Sequence, residues 1–185
     1  MTLFILMLIN IFPVLPLNMF TIYAEVEKSN MIQLPFDYID RELRDLSIYQ
    51  KYFPSMIEVK RLDDTKTSWT YEVDMPLAKA VRTTYVLEER RPSKGVVIFE
   101  TLNSSSDYMF CMATIISHEP SKTELKIKMI LKTTRESGSD IHFLAPIMGQ
   151  KFISAQMKER LEEDLQTFLD KATNDLYTGF NNSKQ

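Results

Sequence analysis

The chain has 185 residues, 44% of them hydrophobic and 25% charged, with a formal net charge of −3. This is the composition of a single globular domain that can bury a core without staples, and its want of a basic excess argues against a nucleic-acid partner. The lone cysteine, Cys111, excludes an intrachain disulfide, and four scattered glycines exclude a Gly-rich phosphate cradle.

Residues 1–18 contain no Asp, Glu, Lys or Arg. A secretory signal would begin with a basic region and end at small residues, and neither is present. A membrane-spanning helix would need about 20 apolar residues, but Pro13 and Pro16 interrupt this stretch and its end runs into a strand. The reading adopted is a hydrophobic N-terminal extension (1–18) outside the functional domain, a domain over 19–180 with translation able to start at Met19, and a polar tail over 181–185. The expected location is cytoplasmic, with membrane contact through residues 1–18 as the alternative.

From Phe20 the pattern has period two: Phe20, Ile22, Ala24 and Val26 alternate with Thr21, Tyr23, Glu25 and Glu27, a half-buried strand. In "PFDYIDRELRDLSIYQKYFPSM", Pro35 suits a first helical turn, and Phe36, Ile39, Leu43 and Leu46 share one helical face. Ser47 is placed to cap a second short helix, which Pro54 stops. Five stretches with period two follow, "MIEVKRL", "TSWTYEVD", "AVRTTYVLEE", "DYMFCMATII" and "TELKIKMILKTT", with "GVVIFET" between the third and fourth. The joints "RRPSK" and "NSSS" read as turns, so the expectation is an antiparallel meander with one face on a core. Lys126, Lys128 and Lys132 then line the other face, as a solvated row or a surface for an acidic partner. The chain closes with Phe152, Ile153, Met157, Leu161, Leu165, Phe168, Leu169, Ala172 and Leu176 at steps of three and four. They predict an amphipathic helix of about 28 residues, roughly 42 Å long, with Gly179 as its stop.

The order is strand, two short helices, six antiparallel strands and one long helix, an α+β arrangement in which the helix must cover the curved sheet. The residues "LPFDYIDRELRDLSIYQKYFPSMIEVK", Trp69 in the following strand and the closing "LAPIMGQKFISAQMKERLEEDLQTFLDKA" resemble the START-related, polyketide cyclase-like helix-grip superfamily (SRPBCC type). The resemblance covers about residues 19–180. It implies a sheet of about seven strands wrapped on the last helix, holding an apolar small molecule or lipid between them. It carries over no catalytic residue and no cofactor. "LDDTKT" stands where plant-type members have a Gly-rich loop, which departs from a plant-hormone analogy.

Several other chemistries find little support. His118 and His142 are expected at opposite ends of the sheet, so no metal site is assigned. Cys111 in "MFCMA" has no adjacent base and reads as a buried thiol. Asp63–Asp64 reads as a turn, Glu162–Glu163 as a solvated helix face, and Glu88 and Glu89 point to opposite faces of a strand. No catalytic residue is assigned. Pocket candidates are the inward aromatic and methionine positions Trp69, Tyr71, Tyr85, Phe99, Met129, Met157 and Phe168. The hydroxyls of Tyr71 and Tyr85 either hold a ligand's polar end or bond within the core. The expected function is non-enzymatic binding or transport of a hydrophobic small molecule or lipid. The alternatives are a cyclase- or aromatase-type enzyme using Tyr71, Tyr85 and Arg82, although Arg82 has the opposite strand parity, and an interaction module with a full core.

Overall fold

A computed structural model describes residues 19–73, 80–102, 106–141 and 144–182. Strand β1 (Phe20–Ile32) leads through α1 (Phe36–Glu42) and α2 (Leu46–Tyr52) to β2 (Met56–Arg61), β3 (Lys66–Val73), β4 (Val81–Ser93), β5 (Val96–Thr101), β6 (Asp107–Glu119) and β7 (Lys122–Arg135). A 3-10 turn (Gly138–Asp140) and a four-residue α3 (Ala145–Met148) precede the long α4 (Gln150–Asn182). The seven strands form one sheet in the order β1-β7-β6-β5-β4-β3-β2, every neighbouring pair antiparallel.

The alternation seen in the sequence sorts side chains as expected. Ile22, Ala24 and Val26 of β1 are buried, as are Leu125, Ile127, Met129 and Leu131 of β7, all on the face that meets α4. On the opposite face Lys126 and Lys128 pair with Glu27 and Glu25 of β1 at 3.5 and 2.6 Å. Two of the three lysines in the row are therefore matched across the strand pair, while Lys132 stands opposite Tyr23. Such exposed pairs contribute little to stability, but they take up the charge that an acidic partner would need.

Local chemistry sets the element ends. Asp45, not Ser47, caps α2: its Oδ1 accepts the Ser47 backbone N–H at 2.9 Å, because the residue before the helix is the one in extended geometry that can turn its side chain back. Pro35 is itself the extended residue flanking α1, one position before the helix rather than inside its first turn. Arg90, Arg91 and Pro92 belong to β4 rather than to the turn, and the register shift between Arg90 and Ser93 accommodates the proline. The turn itself is confined to Lys94 and Gly95, between β4 and β5. The "NSSS" turn falls partly on residues 103–105, outside the described residues, as does His142.

Helix α4 has 33 residues, about 50 Å at 1.5 Å per residue. It runs through Gly179 to Asn182 instead of stopping at the glycine. Here the missing side chain serves close packing: a Cβ at Gly179 would stand 2.7 Å from Tyr38 Oη. The break comes at the other end, where Gly149 at φ +79° separates α3 from α4. Phe152, predicted in the apolar stripe, is 48% exposed in the first turn after this break. At the sheet's β2 edge, Gln50 of α2 accepts from the Val59 N–H at 3.2 Å and donates to the Ile57 carbonyl at 3.4 Å.

Candidate ligand cleft

The space between sheet and α4 divides into two parts. Under α1 and α2 it is filled by rings. Tyr49 and Phe53, from α2 and its C-terminal end, meet Trp69 of β3, Phe99 of β5 and Phe168 of α4, all buried. Ring centroids lie 4.4 Å apart for Phe53–Phe168, 4.7 Å for Trp69–Phe99 and 5.2 Å for Tyr49–Trp69. These are contacts of a packed core, each adding to the burial of large apolar area. Three of the sequence candidates, Trp69, Phe99 and Phe168, lie in this stack. Met129 is fully buried on β7, paired across the sheet with Cys111 and Val26.

Tyr71, Tyr85 and Met157 are brought together beside this stack: Tyr71 stands two residues beyond Trp69 on β3, and Tyr85 on β4 faces Trp69 across the strand pair. They line a cleft at the end of the sheet where β3 finishes and β4, β1 and α4 begin. Its walls are Ile22, Tyr71, Val73, Thr83, Tyr85 and Thr133 from the strands, Ile141 from the segment after the 3-10 turn, and Met157 from α4. The void they leave is about 20 Å³, roughly the room one water needs. Most of the lining is apolar, and the polar part is a group of hydroxyls. Burial first, then the nearby Asp107 charge, raises the Tyr85 phenol to about 12 against the lowering effect of the neighbouring Thr133 and Thr83 side chains. Tyr85 therefore stays neutral throughout the physiological range.

Behind Tyr71 lies a residue whose role the sequence reading missed. Tyr71 Oη donates to Asp164 Oδ2 at 2.7 Å, and the Asp164 side chain is 1% exposed. The other carboxylate oxygen faces Arg160 Nε at 3.4 Å, without hydrogen-bond geometry. Arg160 Nε also points at Ser55 Oγ, 3.4 Å away. Burial first, then the Asp164 charge and hydrogen bond, hold the Tyr71 phenol well above its ordinary value. One signal could have exposed this pair. Asp164 stands three residues after Leu161 and four before Phe168, on the apolar stripe, where an acid needs a buried partner.

The other sequence candidates for chemistry are accounted for locally. Arg82 pairs with Glu72 at 2.8 Å on the solvent face, as its strand parity implies. Asp63 closes the β2–β3 turn by accepting from the Thr65 and Lys66 N–H groups at 2.8 Å each. Cys111 is fully buried, and burial pushes its thiol up to about 12. His118 faces Glu124 at 3.3 Å on the surface. Among the described residues no cluster of three or more His, Cys, Asp or Glu side chains is placed to hold a metal ion, and no helix is long and apolar enough to cross a membrane.

By sequence, the chain matches no protein-family model and no curated protein. By structure it is similar to the Zhui aromatase/cyclase from Streptomyces sp. R1128, with a TM-score of 0.58 over 81% of this chain and 93% of that one, at 20% identity. A START superfamily protein from Mycobacterium smegmatis superposes at 0.53 over 80% and 98% of the two chains, at 12% identity. The fold is the START-type helix grip. The di-domain aromatase/cyclase StfQ from the steffimycin biosynthetic pathway also matches, at a TM-score of 0.57 and 10% identity, over 85% of this chain and 52% of its own. At these identities the likeness is one of fold. Within that helix grip, this chain fills one part of the interior with rings and keeps the cleft at the other.

Proposed function

We propose that this helix-grip domain binds a hydrophobic small molecule or lipid, without chemistry, in the cleft between the sheet and the first turns of α4. The observation that carries the reading is the end-on cleft itself: an apolar lining with the neutral hydroxyls of Tyr85, Thr83 and Thr133 grouped on one wall. Ligand sites pair apolar walls with a few polar anchors in this way. A drug-sized ligand needs about 300 Å³ or more, so the void must widen on binding. Met157 and Ile141 are its partly exposed walls, and the unbranched Met157 side chain can swing aside.

Native mass spectrometry of protein purified from its own cells tests this: a stoichiometric apolar adduct, lost on denaturation, is expected. Met157→Trp, which fills the cleft, should abolish the adduct and leave the fold intact. Adduct-free wild-type protein that also fails to take up an apolar fluorophore such as N-phenyl-1-naphthylamine would refute the reading.

A second reading, a cyclase- or aromatase-type enzyme, is favoured by one contact. The Tyr71–Asp164 hydrogen bond of 2.7 Å joins a cleft-lining phenol to a buried carboxylate, a pair able to relay a proton. Turnover of a polyketone that survives both Tyr71→Phe and Tyr85→Phe would eliminate it.

A further inference from the structure

Helices α2 and α4 leave a groove of about 290 Å³ between them, lined by Lys51 and Tyr52 of α2 and by Lys171, Asn174, Asp175 and Thr178 of α4. The α4 residues stand at helical steps of three and four, so they share one face of the helix. At 1.5 Å per residue, Lys171 is roughly 20 Å along α4 from Met157, and the groove shares no lining residue with the cleft. Its volume approaches the roughly 300 Å³ at which small-molecule sites begin.

The groove holds more donors than its own contacts use. Lys51 Nζ reaches Asp175 Oδ2 at 3.2 Å and lies 4.8 Å from the Tyr52 ring centroid. That pairing answers the Asp175 charge and leaves Lys51 further protons to donate. Lys171 is exposed on the same α4 face, and Asn174 adds a side-chain amide. Tyr52 is 7% exposed, and its Oη has no hydrogen-bond partner among the described residues, although the Asp175 carboxylate is close by. A buried hydroxyl is costly to leave unmet. The Thr178 hydroxyl is spent within the helix, donating to the Asn174 carbonyl at 3.0 Å. Neighbouring acids are engaged elsewhere. Asp170 accepts from Asn30 at 3.2 Å and from Gln166 at 3.1 Å, and Glu42 of α1 pairs with Arg41 at 2.9 Å.

We propose that the groove between α2 and α4 is a second binding site, for a phosphate monoester whose oxygens accept from Lys51, Lys171, Asn174 and Tyr52. Three terminal oxygens can meet such a set of donors, and lysines serve phosphate as point charges. The site does not rest on the cleft holding a ligand.

Glycerol phosphate supplies the group in solution, and phosphatidic acid in phosphatidylcholine vesicles supplies it on a lipid. With the full chain, isotope-labelled for amide NMR, glycerol phosphate should give saturable shifts at Tyr52, Lys171 and Asn174 that sodium chloride of equal ionic strength does not reproduce. Sedimentation with phosphatidic acid vesicles beyond phosphatidylcholine alone, without those shifts in solution, would assign the phosphate to a headgroup. In whichever arm binds, Lys171→Ala should weaken affinity about tenfold. Tyr52→Phe should weaken it about threefold while the urea midpoint of the ligand-free protein holds or rises, since the hydroxyl has no partner to lose. Lys151→Ala, exposed in the first turn of α4, should change neither. Binding in neither arm overturns the proposal. So does binding that chloride reproduces, or that Lys171→Ala and Tyr52→Phe leave intact.

Discussion

The inward rows of β3 and β4 serve two different interiors. At Trp69 the row meets Tyr49, Phe99 and Phe168 and the space is full. At Tyr71, two residues beyond Trp69, and at Tyr85, its cross-strand neighbour, the rows border a void, and Tyr71 is held by the buried Asp164. The difference comes from the cover, which over the second region includes Ile141 of the segment after the 3-10 turn as well as α4. Helix α2 and its C-terminal end supply Tyr49 and Phe53 to the first region, whereas no ring from α2 lines the second, where α4 contributes Met157 and the Asp164 carboxylate. Rings supplied from two sides make a core. Rings supplied from one side, with hydroxyls and a carboxylate between, make a site.

The sharpest way to break this contrast is truncation. Phe168→Ala should cost about 3–5 kcal/mol in urea unfolding, since it deletes a buried ring and leaves a cavity. Met157→Ala, at a partly exposed wall that already borders a void, should cost only about 1 kcal/mol. Equal costs for the two would show that the cleft is as tightly packed as the stack.

Raising the pH should act next most strongly. Tyr85 has an ordinary value of 10.0 and is held at about 12 in the fold. Below pH 10 it is protonated in both folded and unfolded chains and costs nothing. Between 10 and 12 the unfolded chain loses this proton first, so stability falls as pH rises, by about 2.7 kcal/mol from this residue. Tyr85→Phe should flatten that decline in urea midpoints measured across the range. An unchanged slope would mean that the Tyr85 hydroxyl is open to water.

Tyr71→Phe should cost about 1–3 kcal/mol, because the buried Asp164 carboxylate loses its hydrogen-bond donor. Asp164→Asn with Tyr71→Phe should recover part of this by removing the charge as well, and strict additivity of the two changes would argue against their coupling. The smallest effect belongs to the outer face. Lys128→Ala, at an exposed pair with Glu25, should shift the urea midpoint least of all and be further muted by salt.

Much of this architecture is legible in the chain. Period-two runs identify the strands and their inward rows, and steps of three and four identify α4, because burial on one face imposes those periods. What is hidden depends on long-range encounters. That Trp69 is sealed while Tyr71 borders a cleft depends on where α2 docks, and nothing within β3 specifies it. Helix α3 is too short for a period to register, and Gly179 reads as a stop only because its close neighbour, Tyr38, is remote in sequence. Asp164 was legible in position but not in partner: the stripe shows an acid facing inward, and only the fold supplies Tyr71.

Gln50 has a consequence beyond the hydrogen bonds it makes. By offering its amide oxygen to Val59 and its amide nitrogen to the Ile57 carbonyl, one side chain imitates the backbone of an eighth strand. It occupies polar groups through which another chain could extend the sheet. A residue of α2 thus protects the β2 edge of the sheet with two hydrogen bonds from one side chain.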